Sequence, residues 1–466
     1  MASSNEVKKL SKNCMLQGVT YFQISLTFIT VLTTFFFICT ARYPSTKIIV
    51  LQQTPLPLMT NFSSSSCITT STSIDLNANL MVSSSSSPTL TSDEELRRSA
   101  KNKGKMKKGW GERRRRSSND KYHCDLFDGR WVEDGETMPL YEAGSCPFVE
   151  EAFNCFKNGR PDLNYTRLRW QPKACSMPRL EGRNLLEILR GKRLAFVGDS
   201  LNRNMWESLV CILRNSLNNK NGVYDITGKN EFRNENYYAY RFTEYNCTIE
   251  FFRAPFLVQE WEIWSSDGTR KETLRLDIMG KTSSFYKTAD VIIFNTAHWW
   301  THEKTSKGED FYQEGDYVHR KLSADDAYHK ALTTWGRWLD EHIDSNRTTV
   351  FFRGYSWSHF RGGQWNSGGS CDGETLPILD DKHLAKYPNL LNILELVMSK
   401  MKTPVLYLNI TRMTDYRKEA HPSMYRFPET KQRVVKSQDC SHWCLPGVPD
   451  AWNELMYAML LKRLRR

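Results

Sequence analysis

Short apolar runs at 194–197 (Leu-Ala-Phe-Val), 291–294 (Val-Ile-Ile-Phe), 350–352 (Val-Phe-Phe) and 405–408 (Val-Leu-Tyr-Leu) recur through the C-terminal part of the chain. Each run is continuous rather than alternating, as expected of strands covered on both faces. Between them the period changes. Met205, Leu209, Val210 and Leu213 recur at three- and four-residue spacing, and the stretches around Ala331 to Ile343, Leu390 to Met401 and Ala451 to Leu464 repeat that rhythm. These predict helices with one apolar face. Strands alternating with helices predict an α/β fold, a mostly parallel sheet flanked by helices, whose sites form at the carboxyl ends of the strands. Ser200, in the turn Gly198-Asp199-Ser200 after the first strand, and Asn295, ending the second, fall at such ends.

The N-terminal part is patterned differently. From Val19 to Ala41 there is no formal charge and Phe, Ile, Leu, Val and Thr dominate. At about 1.5 Å per residue such a helix spans a bilayer core. It exceeds the usual hydrophobic region of a cleaved signal peptide and lacks a clear small-residue cleavage site, so a transmembrane signal anchor is the preferred reading. Lys8, Lys9 and Lys12 precede it, which favours a cytoplasmic N-terminus. The expected organisation is a cytoplasmic tail at 1–18, the anchor at 19–41, a disordered Ser/Thr-rich and basic stem at 42–122, and one lumenal catalytic domain at 123–466. No internal repeat is evident.

Charge changes the picture less than it first suggests. The net charge is +12, yet Arg97 to Arg116 holds 11 Lys or Arg against the single acid Glu112, so the rest of the chain is close to neutral. A folded nucleic-acid binder spreads its basic residues over a face, so no nucleic-acid partner is expected. Nine of the 12 cysteines lie from Cys124 onward. In an oxidising compartment such a set forms disulfides. N-x-Ser/Thr acceptors at Asn61, Asn164, Asn246, Asn346 and Asn409 all follow the apolar segment, consistent with a glycoprotein of the secretory pathway.

Two motifs carry the chemistry. A serine at the start of a helix brings its own N–H near any oxyanion on its acylated carbonyl, although Asp199 or Ser200 also suits a plain helix cap. The second motif is Asp439-Cys440-Ser441-His442, just before the last helix. A serine hydroxyl needs a base to take its proton, and the imidazole needs a partner that fixes its tautomer. An Asp three residues before the His can be that partner, and disulfides through Cys440 and Cys444 would hold the loop. A structural metal at Cys440, His442 and Cys444 is disfavoured by the alternate-residue spacing. The pair His298 and His302 lacks the following Glu of a zinc protease. No metal is therefore expected. Asn295, Arg203 and Asp199 are the candidates for oxyanion or substrate binding, against turn formation, a surface ion pair and capping. Trp299, Trp300, Trp357 and Trp365 suit stacking on sugars or simple core packing.

The run Phe196 to Trp206, the segment Asn295-Thr296-Ala297-His298-Trp299-Trp300, the stretch Gly363 to Cys371 and the run Asp439 to Gly447 together resemble the plant trichome birefringence-like family, from about Cys124 to the C-terminus. The resemblance implies an SGNH/GDSL-hydrolase-like, disulfide-braced fold in a single-pass type II Golgi membrane protein that O-acetylates cell-wall polysaccharide. Ser200 is then the nucleophile, His442 the base and Asp439 its orienter. It also implies pairing among Cys124, Cys146, Cys155, Cys175, Cys211, Cys371, Cys440 and Cys444, which leaves Cys247 odd. The segments 124–131 and 153–162 are similar to the founding members, which favours pectin as acceptor, with xylan or another hemicellulose next. Ala297 in place of Gly and Tyr355-Ser356-Trp357-Ser358-His359 in place of a Pro-containing stretch depart from the family pattern near the expected binding loops. No cofactor is expected beyond an acetyl donor as co-substrate, supplied directly or by a donor-supplying membrane protein. The competing readings are a polysaccharide acetylesterase and a non-catalytic pectin-binding or bridging protein.

Overall fold

The computed structural model describes residues 124–133, 139–228, 237–264, 268–432 and 437–464. The expected tail, anchor and stem, and the acceptor Asn61, lie outside them. Among the described residues no helix is long and apolar enough to cross a membrane.

Strands in chain order are β1 (Gly129–Glu133), β2 (Leu168–Pro172), β3 (Arg193–Gly198), β4 (Val223–Asp225), β5 (Tyr237–Phe242), β6 (Cys247–Arg253), β7 (Val258–Trp264), β8 (Arg270–Met279), β9 (Val291–Phe294), β10 (Tyr312–Glu314), β11 (Tyr317–Val318), β12 (Thr349–Arg353) and β13 (Val405–Leu408). The central sheet runs β13-β12-β9-β3-β6-β5-β4. From β13 to β6 neighbours are parallel, while β5 and β4 close the edge antiparallel. Four of its six pairings are parallel, in line with the mostly parallel sheet the sequence predicts, and the antiparallel edge makes it mixed. A second sheet, β11-β10-β8-β7, and the β1-β2 hairpin complete the strands.

Side-chain alternation sorts the central strands between two cores. Leu194, Phe196, Ile293 and Phe351 face one core with the helices Gly182–Ile188, Ser200–Asn215 and Val448–Leu464. Ala195, Val197, Ile292, Phe294, Val350 and Phe352 face the other, with Ala324–His342, Asn389–Met398 and the β7-β8 ribbon. Continuous apolar runs are what a strand buried on both sides requires. Four disulfides brace this body: Cys124–Cys175, Cys146–Cys211, Cys155–Cys444 and Cys371–Cys440. They use all eight cysteines that the resemblance implied, and Cys247 is a buried free thiol.

Candidate active site

β3 ends at Gly198, and the chain turns at once into the helix Ser200–Asn215. Gly198 has φ +157, and a Cβ there would lie 1.9 Å from Asn295 Oδ1 and 2.5 Å from the Asn295 carbonyl, so the turn admits only glycine. Asp199 is the helix cap: its Oδ1 accepts from Leu201 N–H at 2.9 Å. Capping is thus done by Asp199, which leaves the Ser200 hydroxyl for another partner. That partner is His442, whose Nε2 lies 2.7 Å from Ser200 Oγ.

Asp439 organises the opposite side. Its Oδ2 is 2.7 Å from His442 Nδ1, and its Oδ1 accepts from the backbone N–H of Ser441 at 3.1 Å and of His442 at 3.0 Å. A carboxylate only accepts, so Nδ1 carries the proton and the Nε2 lone pair faces Ser200. Burial raises the Asp439 pKa, but the charge and hydrogen bond of His442 outweigh burial and hold the carboxyl well below its usual range. The loop is fixed from several directions. Cys440 and Cys444 are each disulfide-bonded, and Asn204, one turn along the Ser200 helix, accepts from Trp443 N–H at 2.9 Å and donates to the Trp443 carbonyl at 3.1 Å. One side chain therefore sets the spacing between the two halves of the triad. The Phe153 ring packs 5.1 Å from the His442 ring.

Asn295 is engaged at both ends. Its Oδ1 accepts from Asp199 N–H at 3.1 Å and its Nδ2 donates to Asp199 Oδ1 at 2.8 Å, so in this arrangement its amide steadies the turn that precedes Ser200. His298 Nδ1 and Arg353 Nη2 lie 3.8 and 3.7 Å from the same carboxylate, whose pKa they lower against the opposing effect of burial. Burial takes His298 down to about 4 and Arg353 down to about 10. His298 also lies 2.6 Å from the Ser356 carbonyl, while His302 is exposed on the surface. Arg203 pairs with Glu150 and, at 3.7 Å, with Glu207, its guanidinium over the Phe153 ring. It therefore supports the wall beneath His442.

A cavity of about 630 Å³ opens over Ser200, Asp439 and His442. Trp299, Trp357 and Trp365 line it with Tyr355, Lys304 and Arg426. Trp300 also reaches it, but its side chain is core, and its Nε1 donates to Thr296 Oγ1. Lys304 Nζ stands 4.5 Å from the Trp299 ring centroid and 5.1 Å from that of Trp365, and burial lowers its pKa. Asn164, Asn246 and Asn346 are exposed and Asn409 is half-buried. Asn204, Lys304, Arg353, His421 and Arg426 were missed in the sequence. Only Asn204, four residues after Ser200 and so on the same helix face, had a signal there.

A serine on a strand-to-helix turn, an Asp-x-x-His loop and an open, aromatic-lined cavity have the geometry of a serine acyl-handling site of the SGNH kind. Residues 177–459 match the PC-Esterase model, the GDSL/SGNH-like acyl-esterase family found in Pmr5 and Cas1p, and residues 122–176 match the PMR5 N-terminal domain. The chain is 59% identical over 348 residues to Protein trichome birefringence of Arabidopsis thaliana, covering 74% of this chain and 57% of that protein. It is 59% identical over 345 residues to trichome birefringence-like 1 and 56% identical over 344 residues to trichome birefringence-like 4, both of Arabidopsis thaliana. Those matches cover 73% and 72% of this chain, and 62% and 75% of the relatives. The chain belongs to the trichome birefringence-like family, and it spans about three-fifths of the length of the first two relatives.

Proposed function

We propose that this chain is a polysaccharide O-acetyltransferase working through an acetyl-serine intermediate. The observation that carries the reading is the unbroken relay Ser200 Oγ, His442 Nε2, His442 Nδ1, Asp439 Oδ2, with both contacts at 2.7 Å, opening on an aromatic-lined cavity. In the first half, Ser200 Oγ attacks the carbonyl carbon of an acetyl donor as its proton passes to His442 Nε2. The donor's leaving group departs with that proton. In the second half, a sugar hydroxyl gives its proton to Nε2 and its oxygen attacks the acetyl carbon. Ser200 Oγ leaves and takes the proton back, and no cofactor is consumed. Asp439 holds the tautomer and stabilises the imidazolium in both halves.

The acceptor is a cell-wall polysaccharide, pectin before xylan or another hemicellulose. Lys304 and Arg426 support an acidic acceptor: both line the cavity, and neither forms an ion pair among the described residues. Tryptophans beside them suit sugar faces. We further propose an N-terminal anchor in the Golgi membrane with this body lumenal, glycosylated, and served by an acetyl donor or a donor-supplying membrane protein. The family model's name favours one second reading, an acetylesterase with water as acceptor.

The test is Ser200→Ala. Given an activated acetyl ester without acceptor, the unaltered protein gains an adduct of about 42 Da on Ser200, an acetyl group in place of hydrogen, as covalent catalysis requires. Ser200→Ala and His442→Ala do not. Adding pectin or xylan oligosaccharides moves the acetyl to sugar. Free acetate alone would establish the esterase, and undiminished transfer by a folded Ser200→Ala protein would end the mechanism.

A further inference from the structure

Behind the His442 loop two more histidines meet. His421 Nδ1 lies 2.6 Å from the His442 carbonyl oxygen, His359 Nε2 lies 3.0 Å from the Asp415 carbonyl oxygen, and His359 Nδ1 lies 2.7 Å from His421 Nε2. The rings are buried or nearly so, and the His421 ring stacks on Trp443 at 4.1 Å.

The proton count decides what this chain of contacts means. A carbonyl oxygen only accepts, so His421 Nδ1 and His359 Nε2 must both carry hydrogen. A neutral imidazole has one N–H. If both rings were neutral, those two hydrogens would be spent on the carbonyls, and two bare lone pairs would face each other across 2.7 Å. The middle contact is a hydrogen bond only if a third proton sits in it. We infer that His359 and His421 together hold one proton more than two neutral rings, and that this shared proton keeps His421 seated on the backbone of the catalytic histidine.

The surroundings agree with this assignment. Asp415, at the end of the short helix Thr411–Asp415, places Oδ1 3.5 Å from His359 Nε2, an anion beside the ring that gains charge. Burial and the neighbouring His359 disfavour charge on the His421 ring, so in the middle contact His421 Nε2 is the acceptor. From the remaining elements, Asp439 favours and His442 disfavours charge on His421, and Arg160 donates to the His421 carbonyl at 3.0 Å. The backbone N–H of His359 donates to the Cys440 carbonyl at 2.9 Å, which ties that residue's main chain to the same loop. Loss of the shared proton at high pH turns the middle contact repulsive, and the bond from His421 to the His442 carbonyl loosens. His359 and His421 are positioning residues that act on Ser200 through the His442 loop.

The inference rests on the nucleophile reading but not on the acceptor, so the test uses a fluorophosphonate probe that reacts with an activated serine. With the full chain, labelling of Ser200 at neutral pH is the control, and its absence sinks the site reading rather than the dyad. The expected result is a labelling rate that falls about tenfold on the alkaline side in one step, and a His359→Gln protein without that step, because a neutral amide donates to His421 Nε2 with no extra proton. In ¹⁵N-histidine spectra of the unaltered chain at a pH of full labelling, three of the dyad's four ring nitrogens are protonated. Two protonated nitrogens, or an alkaline step unchanged in His359→Gln, overturn it. The spectra decide even if the variant fails to fold.

Discussion

At the scale of single residues, the triad depends on which nitrogen of His442 carries hydrogen, and Asp439 alone decides that. Asp439→Asn keeps an oxygen for the two backbone N–H groups but turns an NH₂ toward His442 Nδ1, which must then accept. The ring proton moves to Nε2, and the base no longer has a lone pair for Ser200. Acetyl transfer should fall by about four orders of magnitude, as for the same change in serine proteases, with little change in melting temperature. Rates near those of the unaltered protein in a folded variant would remove Asp439 from the mechanism. That Ser200, His442 and Asp439 would meet could be read in the sequence because each sits in a short motif whose chemistry is local. Asn295 and Arg203 rested on position, residue type and a weaker family resemblance, and the structure engages both side chains with other groups: the Asp199 turn, and the Glu150–Glu207 cluster. The histidine dyad left no trace in sequence, since His359 and His421 stand 62 residues apart.

Among the elements, the Ser200 helix and the last helix, Val448–Leu464, pack together through polar groups. Asp450 takes Ser208 Oγ at 2.5 Å and Gly447 N–H at 3.0 Å, and Asn453 donates to Ser208 Oγ at 2.9 Å; on the same Ser200 helix Glu207 takes the N–H of Glu150, from the N-terminal segment, at 2.9 Å. Burial pushes Asp450 up to about 7 and raises Glu207 as well. A carboxyl raised in the folded state binds a proton that the unfolded chain has released above about 4, so stability falls as pH rises from there toward about 7 and then levels. Asp439 acts oppositely: its depressed pKa contributes stability above about 4 that is lost as pH falls further. Melting temperature should therefore be higher at pH 5 than at pH 8. Asp450→Asn, whose oxygen accepts from Gly447 N–H while its NH₂ donates to Ser208 Oγ, removes the charge and should narrow that gap, and an equal gap in the variant would show that Asp450 does not titrate in this range. Of the parallel strands, β3, β9, β12 and β13 were visible because burial on both faces writes itself as an apolar run, whereas β6 is as buried but Glu250 and Arg253 interrupt its run. β5, β7 and β8 were not visible either. Sequences such as Gln259-Glu260-Trp261-Glu262 and Arg270-Lys271-Glu272 belong to strands with one wet face, where charge masks the strand rhythm.

Over the whole molecule, the disulfides place the N-terminal segment in service of the site. Cys124–Cys175 closes that segment on itself, whereas Cys146–Cys211 ties it to the Ser200 helix and Cys155–Cys444 ties it to the His442 loop. Cys371–Cys440 anchors the same loop to the stretch that carries Trp365. Ser200 and His442 come from distant parts of the chain, and the segment before residue 177 bridges their surroundings covalently. Loss of any one bridge should cost about 2–5 kcal/mol of stability, because each constrains a long loop of the unfolded chain. The effect on chemistry should differ by bridge. Removing Cys155 and Cys444 together, or Cys371 and Cys440 together, frees the His442 loop, and Ser200 acetylation per folded molecule should drop at a temperature where both variants remain native. Removing Cys124 and Cys175 together should lower the melting temperature and leave that rate close to the unaltered value. The buried Cys247, its thiol pushed up to about 12 by burial, offers little thiolate to reshuffle with in either case. Acetylation rates and melts measured on the three double variants decide the matter: equal loss of activity in all three would mean that the bridges serve stability alone.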